Sequence, residues 1–359
     1  MLQDLIPRLE GGTALSGPEI ESAIAELVRE DIPVELKASF LSALARKGET
    51  IEEIAAFARL LRERAVPVPL DPTTRQREIL DVVGTGGDRL HTINISSTAA
   101  LLCAAAGVTV AKHGNRAVTS ASGSADVLET LGVPLHQTPT EAAAALRERG
   151  FAFFFAPNYH PAFKHIGPAR KLCAERGQRT IFNFLGPLLN PVRPTAMLLG
   201  VPRPEMCEPI ARVLQTLGVR RAMVVCGAVP NSKAEIGKQK TETAYLDEIS
   251  TLGPTTVAEF YQERGFAVSE LRPETFPLPP GSLADLVGGD KAANAAVARA
   301  ILRGEERGPK SDAVRLNAAA ALFVAGRTRS LLEGWELTDT LIASGAAAAK
   351  LEQLTANRV

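Results

Sequence analysis

Apolar residues recur at helical spacing in four short blocks at the start of the chain, residues 2–9, 16–28, 34–47 and 50–63, with polar residues on the remaining faces. Punctuation separates the blocks. Ser16-Gly-Pro18-Glu19 sets a proline near a first helical turn, Ile32-Pro33 divides two blocks, and Gly48-Glu-Thr50 ends one helix and caps the next. The pattern predicts a small all-helical unit. The stretch Val66-Pro-Val-Pro-Leu-Asp-Pro72 reads as an extended connection, because proline removes a backbone donor and restricts its predecessor. A domain boundary placed there gives a helical domain over 1–72 and a second domain over 73–359.

Beyond it the texture changes. Short apolar runs at 79–83, 108–111, 151–155, 196–199 and 221–226 alternate with Ala-rich helical segments, which predicts an α/β domain with a mostly parallel central sheet covered on both faces. Late helices are expected over 291–303, 312–325, from 330 onward, and over 339–354. No internal repeat is present.

Composition narrows the function classes. The 359 residues carry 40 Lys+Arg against 40 Asp+Glu and are 45% apolar, enough to bury a core and too balanced to create a global field for nucleic acid or an anionic membrane. Cys103, Cys173, Cys207 and Cys226 form no CxxC pair and read as free buried thiols. The N-terminus lacks a signal peptide's long apolar core, and no apolar stretch reaches the roughly 20 residues that cross a bilayer. The expectation is a cytoplasmic protein with no membrane or nucleic-acid partner.

Chemistry concentrates after the first two strands. Gly84-Thr85-Gly86-Gly87-Asp88 follows one strand, and Asn94-Ile-Ser96-Ser97-Thr98 opens a helix; free N–H groups and hydroxyls there suit a phosphate or pyrophosphate. A tight βα turn with Ser96 as N-cap would read the same way. Lys112-His-Gly-Asn115-Arg116 through Ser120 then places cations, an amide and hydroxyls on a loop at a strand's carboxyl end, where α/β sheets bind ligands, although a solvated surface loop has the same composition. The serines of Ser122-Gly-Ser124-Ala-Asp126 read equally well as helix caps.

These segments, in this order, resemble the phosphoribosyl-binding motifs of the anthranilate phosphoribosyltransferase family. The similarity continues through His160-Pro-Ala-Phe163-Lys164, Arg170, Arg179 to Pro191, Asp247-Glu248-Ile-Ser250, Gly288-Gly-Asp290 and Leu316 to Leu322, spanning nearly the whole chain. The resemblance implies a small helical domain with a larger α/β domain of the nucleoside phosphorylase and class IV phosphoribosyltransferase type. It also implies a homodimer joined through the helical domain, to which part of 160–190 would belong. The implied reaction transfers the phosphoribosyl group of phosphoribosyl pyrophosphate (PRPP) to anthranilate, with two magnesium ions per active site.

Carried over by position, Gly84, Thr85, Gly87 and Asp88 would form the pyrophosphate loop. Thr92, Asn94, Ser96 and Ser97 would hold the leaving group, and Lys112, Asn115, Ser120 and Ser124 would complete the PRPP site. Ser96, Asp247 and Glu248 would ligate magnesium, a hard cation that prefers oxygen. Arg170 would pair bidentately with the anthranilate carboxylate, and Gly84, His113, Asn115, Pro157, His160, Phe163 and Gly186 would line the acceptor pocket. No general base is assigned, because an aryl amine is already neutral at pH 7.

The chain departs from the family pattern at Ser97, usually Thr, at Ala121, usually Lys, at Cys226, usually His, and in the polar, loop-like segment 228–245, for which three readings stand: a cover over the metal site, a change of acceptor choice, or only a lengthened surface loop, the last being favoured. Two rivals share the fold: a class II nucleoside phosphorylase, which has the Ser-Gly-Ser-Ala-Asp motif, and a non-catalytic nucleic-acid-binding relative. The Gly84 and Asn94 segments with the Arg170 block favour the transferase over the first. Neutral charge opposes the second.

Overall fold

The computed structural model describes residues 1–117, 122–236, 239–261 and 265–356, without the side chains of 231–242. Four helices form at the expected blocks: α1 (Leu2–Glu10), α2 (Gly17–Leu27), α3 (Val34–Lys47) and α4 (Ile51–Glu63). One buried ion pair fastens them. Glu53 accepts from the Thr50 and Leu15 amides at 2.8 Å each and from Lys47 Nζ at 2.6 Å, tying the start of α4 to the end of α3 and the loop after α1. Short α5 (Pro72–Gln76) follows the extended connection and leads into the sheet.

Strands β1 (Ile79–Gly84), β2 (Thr109–Gly114), β3 (Phe151–Phe155), β4 (Ala196–Gly200) and β5 (Arg221–Ile236) lie in the order β3-β2-β1-β4-β5, all parallel. Three more complete an eight-stranded sheet: β6 (Gln239–Leu246) and β7 (Thr255–Tyr261), both antiparallel to β5, and β8 (Phe266–Leu271), antiparallel to β7. The prediction of a mostly parallel sheet holds.

Strand periodicity splits the core in two. Ala196 and Leu198 of β4 with Met223 and Val225 of β5 face one cluster, built with α6 (Ile95–Ala105) and the helix Pro309–Val324. Met197 and Leu199 with Ala222, Val224 and Cys226 face the other, which is continuous with α1 to α4 and with Ile166, Cys173 and Leu188. The helical unit is therefore packed against one face of the sheet, and the buried Lys37 of α3 donates to the His165 carbonyl at 2.9 Å across that junction. All four cysteines are buried and free.

Three expectations are corrected. The segment 228–245 is not a loop: β5 runs on past the sheet and returns as β6, with Gly227 opposite Leu246 and Ile236 opposite Gln239. Its polar composition hid the hairpin, whose apolar contacts come at its base, where Val229, Ala244 and Leu246 pack together. Lys112 and His113 belong to β2 and are buried, at 1% and 4% exposure, so they are not on a solvated loop. The helix expected over 339–354 breaks at Gly345, whose φ of 76° stops the helix Leu331–Ala343 before the helix Ala346–Thr355.

Candidate active site

The parallel strands all end on one edge of the sheet, and the turns after β1 and β2 meet there. Gly86 and Gly87 take φ values of 74° and 87°, a left-handed path that lifts the turn away from β1. Asp247 and Glu248, directly after β6, lie over this turn. Asp247 Oδ2 accepts from the Gly86 amide at 2.6 Å, and Glu248 Oε1 accepts from the Ser96 amide at 3.0 Å in the first turn of α6. The glycines that end β1 and β4 make room for this. A Cβ at Gly84 or Gly200 would overlap Asp247, so Gly84 serves the approach of a carboxylate of the protein itself.

The carboxylates crowd one another. Burial, then the charges of Asp88 and Glu248, raise Asp247 well above the usual carboxylate range, and burial also raises Asp88. Glu248 is pushed up to about 7 by burial, against the opposing pull of Lys112 and Ser96. Lys112 Nζ donates to the Val82 carbonyl, and it feels both Asp81 and Glu248. Among the described residues no three His, Cys, Asp or Glu side chains close into a ready metal cage. The three carboxylates nevertheless offer hard oxygen to a divalent cation whose remaining ligands come from water and phosphate.

The flanking loops are held by other protein groups. Asn94 caps α6, donates to the Ser122 carbonyl at 3.2 Å and accepts from Asn294 Nδ2 at 3.0 Å. Thr92 bridges to Val287, which draws the segment of Gly288 and Asp290 alongside. Ser97 is buried with its hydroxyl unpartnered. Ser124 begins α7 (Ser124–Leu131) and donates to the Asn115 carbonyl at 3.4 Å. Arg116 pairs with Asp126 and Glu129, a structural role. Thr85, Gly87 and Asp88 lie on the turn, and Ser120 and Ala121 lie outside the described residues.

The expected acceptor residues form an aromatic line. The His113 and His160 rings meet edge to face at 5.6 Å, His160 stacks on Phe163 at 5.1 Å, and Phe163 meets Phe182 at 5.7 Å. Arg170 lies over the Phe182 ring at 5.4 Å, with no carboxylate paired to it among the described residues. His160 Nε2 is 2.9 Å from the Leu189 carbonyl. Burial, helped by His160, pushes His113 down to about 3, so it is a neutral ring at physiological pH, with Nε2 buried and unpartnered. Gly186 is exposed at the start of the short 3-10 helix Gly186–Leu189 and hydrogen-bonds His113 through its backbone, whereas Pro157 is exposed on a short helix after β3.

Sequence reasoning missed the polar core beneath the cleft. Asp81, wholly buried in β1, accepts from the His113 amide at 3.3 Å and from Asn190 Nδ2 at 2.9 Å, while Asn190 also donates to the Ala111 carbonyl at 2.7 Å. Burial raises Asp81 to about 6 against the pull of Lys112. A lone acid inside an apolar strand run was the available signal, since such a charge survives only with partners.

Comparison with known proteins agrees with this geometry. Residues 3–65 match the helical bundle domain of the glycosyl transferase family, and residues 76–348 match its a/b domain. An anthranilate phosphoribosyltransferase from Shewanella sp. strain ANA-3 is 41% identical over 98% of this chain and 96% of its own length. The chain belongs to the anthranilate phosphoribosyltransferase family. The crystal structure of the Thermus thermophilus family member has a TM-score of 0.84 at 41% identity, covering 98% of both chains. That from Saccharomyces cerevisiae, solved in complex with PRPP and Mg, has a TM-score of 0.83 at 26% identity over 99% of this chain and 97% of its own. The phosphorylase and nucleic-acid-binding rivals find no support in these relatives. No helix among the described residues is long and apolar enough to cross a membrane.

Proposed function

We infer that the chain transfers the phosphoribosyl group of PRPP to the amino group of anthranilate, releasing pyrophosphate, as a step of tryptophan biosynthesis in the cytoplasm. The observation that carries this reading is the anchoring of Asp247 and Glu248 on the amides of Gly86 and Ser96, which joins an acidic pair to two phosphate-suited loops. Gly84, Thr85, Gly87, Asp88, Thr92, Asn94, Ser96, Ser97, Lys112, Asn115, Ser120 and Ser124 are assigned to PRPP. His113, His160, Phe163, Arg170, Gly186 and Pro157, with Gly84 and Asn115, are assigned to anthranilate.

Asp247, Glu248 and Ser96 would hold magnesium, two ions per site, which when bound neutralises the departing diphosphate. Loop amides and hydroxyls orient the PRPP phosphates, and Arg170 orients the acceptor carboxylate so that the amine faces the ribose anomeric carbon. The neutral histidines exclude water without competing for a proton, in keeping with the absence of a general base. The homodimer is assigned to the helical unit 1–72. Decay of anthranilate fluorescence on adding PRPP and Mg2+ tests the assignment: turnover is expected from native protein, and folded protein with no turnover under these conditions refutes it.

A further inference from the structure

A cavity of about 500 Å³ opens where residues 65–68 meet the segment after Pro191, and none of the residues assigned to PRPP, anthranilate or magnesium lines it. Its wall carries three guanidiniums, those of Arg62, Arg75 and Arg193, against one carboxylate, that of Glu63. Glu63 already pairs with Arg59 at 3.6 Å, and none of the three cations forms an ion pair among the described residues. Arg62 is 7% exposed, and its Nη2 is buried without a partner although its Nε donates to the Leu188 carbonyl. Burial and then the charge of Arg193 push Arg62 down to about 10.

The two exposed arginines are held in place by backbone. Arg75 Nη1 donates to the Val192 carbonyl at 2.6 Å. Arg193 sits at a φ of 55°, uncommon for a residue with a long side chain, in a turn closed by its amide on the Asn190 carbonyl at 3.1 Å. A buried guanidinium that lines one wall with two further cations, and among the described residues has only the charge of Asp81 to oppose theirs, gains when an oxyanion joins them.

We propose that this cavity is a binding site for a small multiply charged oxyanion, a phosphate group or a polycarboxylate. The site goes beyond the reading of the cleft and does not depend on it. Because Arg62 also holds the Leu188 carbonyl, the bound anion shares a guanidinium with the segment that carries Gly186.

Calorimetric titration of the full chain with inorganic phosphate at low ionic strength tests this, comparing native protein with Arg75→Gln/Arg193→Gln. Phosphate also suits the cleft, so native protein is expected to show one more phosphate site than the double variant. Crystals soaked in tungstate, a dense phosphate analogue, should show anomalous density among the three guanidiniums. Displacement of phosphate from that site by citrate identifies polycarboxylates as ligands; resistance to citrate identifies the phosphate group. Equal phosphate stoichiometry in folded native and variant protein, or no tungstate among the arginines, overturns the proposal. Should the double variant not fold, Arg193→Glu alone is expected to weaken that site more than tenfold, and an unchanged affinity has the same negative meaning. Anthranilate turnover is a separate readout, so either reading can fail with the other intact.

Discussion

The two sides of the cleft are stabilised by opposite physics. On the phosphate side burial raises the proton affinity of three carboxylates, and that of Asp247 rises further with the charges of Asp88 and Glu248, around amides that can satisfy only some of their oxygens. On the acceptor side neutral rings stack and meet edge to face, and burial keeps the histidines uncharged. One side is strained until a cation arrives; the other is already formed. The difference predicts separable failures.

The largest effect should come from Asp247→Asn/Glu248→Gln, with Mg2+-dependent turnover falling by about 10²-fold or more. The same double variant, without metal, should melt higher than native protein, because like charges have been removed. Native-like turnover, or a lower Tm with no metal present, would break the contrast between the two sides. Next, Gly84→Ala places a Cβ against Asp247 and should lower turnover by about tenfold or more, while a Gly17→Ala control in the first turn of α2, which meets nothing within 4 Å, changes it little.

Arg170→Lys keeps the charge and loses the fork. The KM for anthranilate should rise by about tenfold with the KM for PRPP unchanged; a shift in the PRPP value instead would move Arg170 across the cleft. The smallest effect concerns stability. Unfolded histidine titrates near 6.5, and His113 is held near 3. Below about pH 6.5 the unfolded chain takes up a proton that the folded chain refuses. The contribution is therefore complete above that pH and is lost as pH falls towards 3, by up to about 1.4 kcal/mol per pH unit. His113→Gln should flatten part of the decline between pH 6.5 and 5, read as Tm against pH; parallel curves would show that the ring is not desolvated.

What was legible in the sequence follows the same division. Helices α1 to α4 announced themselves because each needs one apolar face, with capping boxes at Ser16 and Thr50 marking α2 and α4, and Phe151–Phe155 because a strand buried on both faces must be apolar throughout. Strands β6, β7 and β8 did not, since β6 is largely polar, β7 interleaves polar with apolar residues and β8 is mostly exposed. The loops that resemble phosphate-binding motifs carry glycines and hydroxyls in a recognisable order. Gly200, Asn190 and Asn294 were silent because they act on other protein groups: room for Asp247, a partner for Asp81, a tether for Asn94. Arg62 belongs to no motif, and only its packing removes it from water.

The β5–β6 hairpin has a bearing on how this chain tolerates changes in length. Asp247 follows Leu246, which pairs with Gly227 at the base of the hairpin, so its position is set by the pairing there and not by the distance to the tip. Residues added in matched numbers to both arms would extend the ribbon outward and leave the base in register, whereas an unmatched residue within a paired arm has to be bulged out of the ladder, as the register shift between Pro230 and Ala234 already does, or the strand beyond it turns over. A segment that looks expendable is thus free in size and constrained in parity.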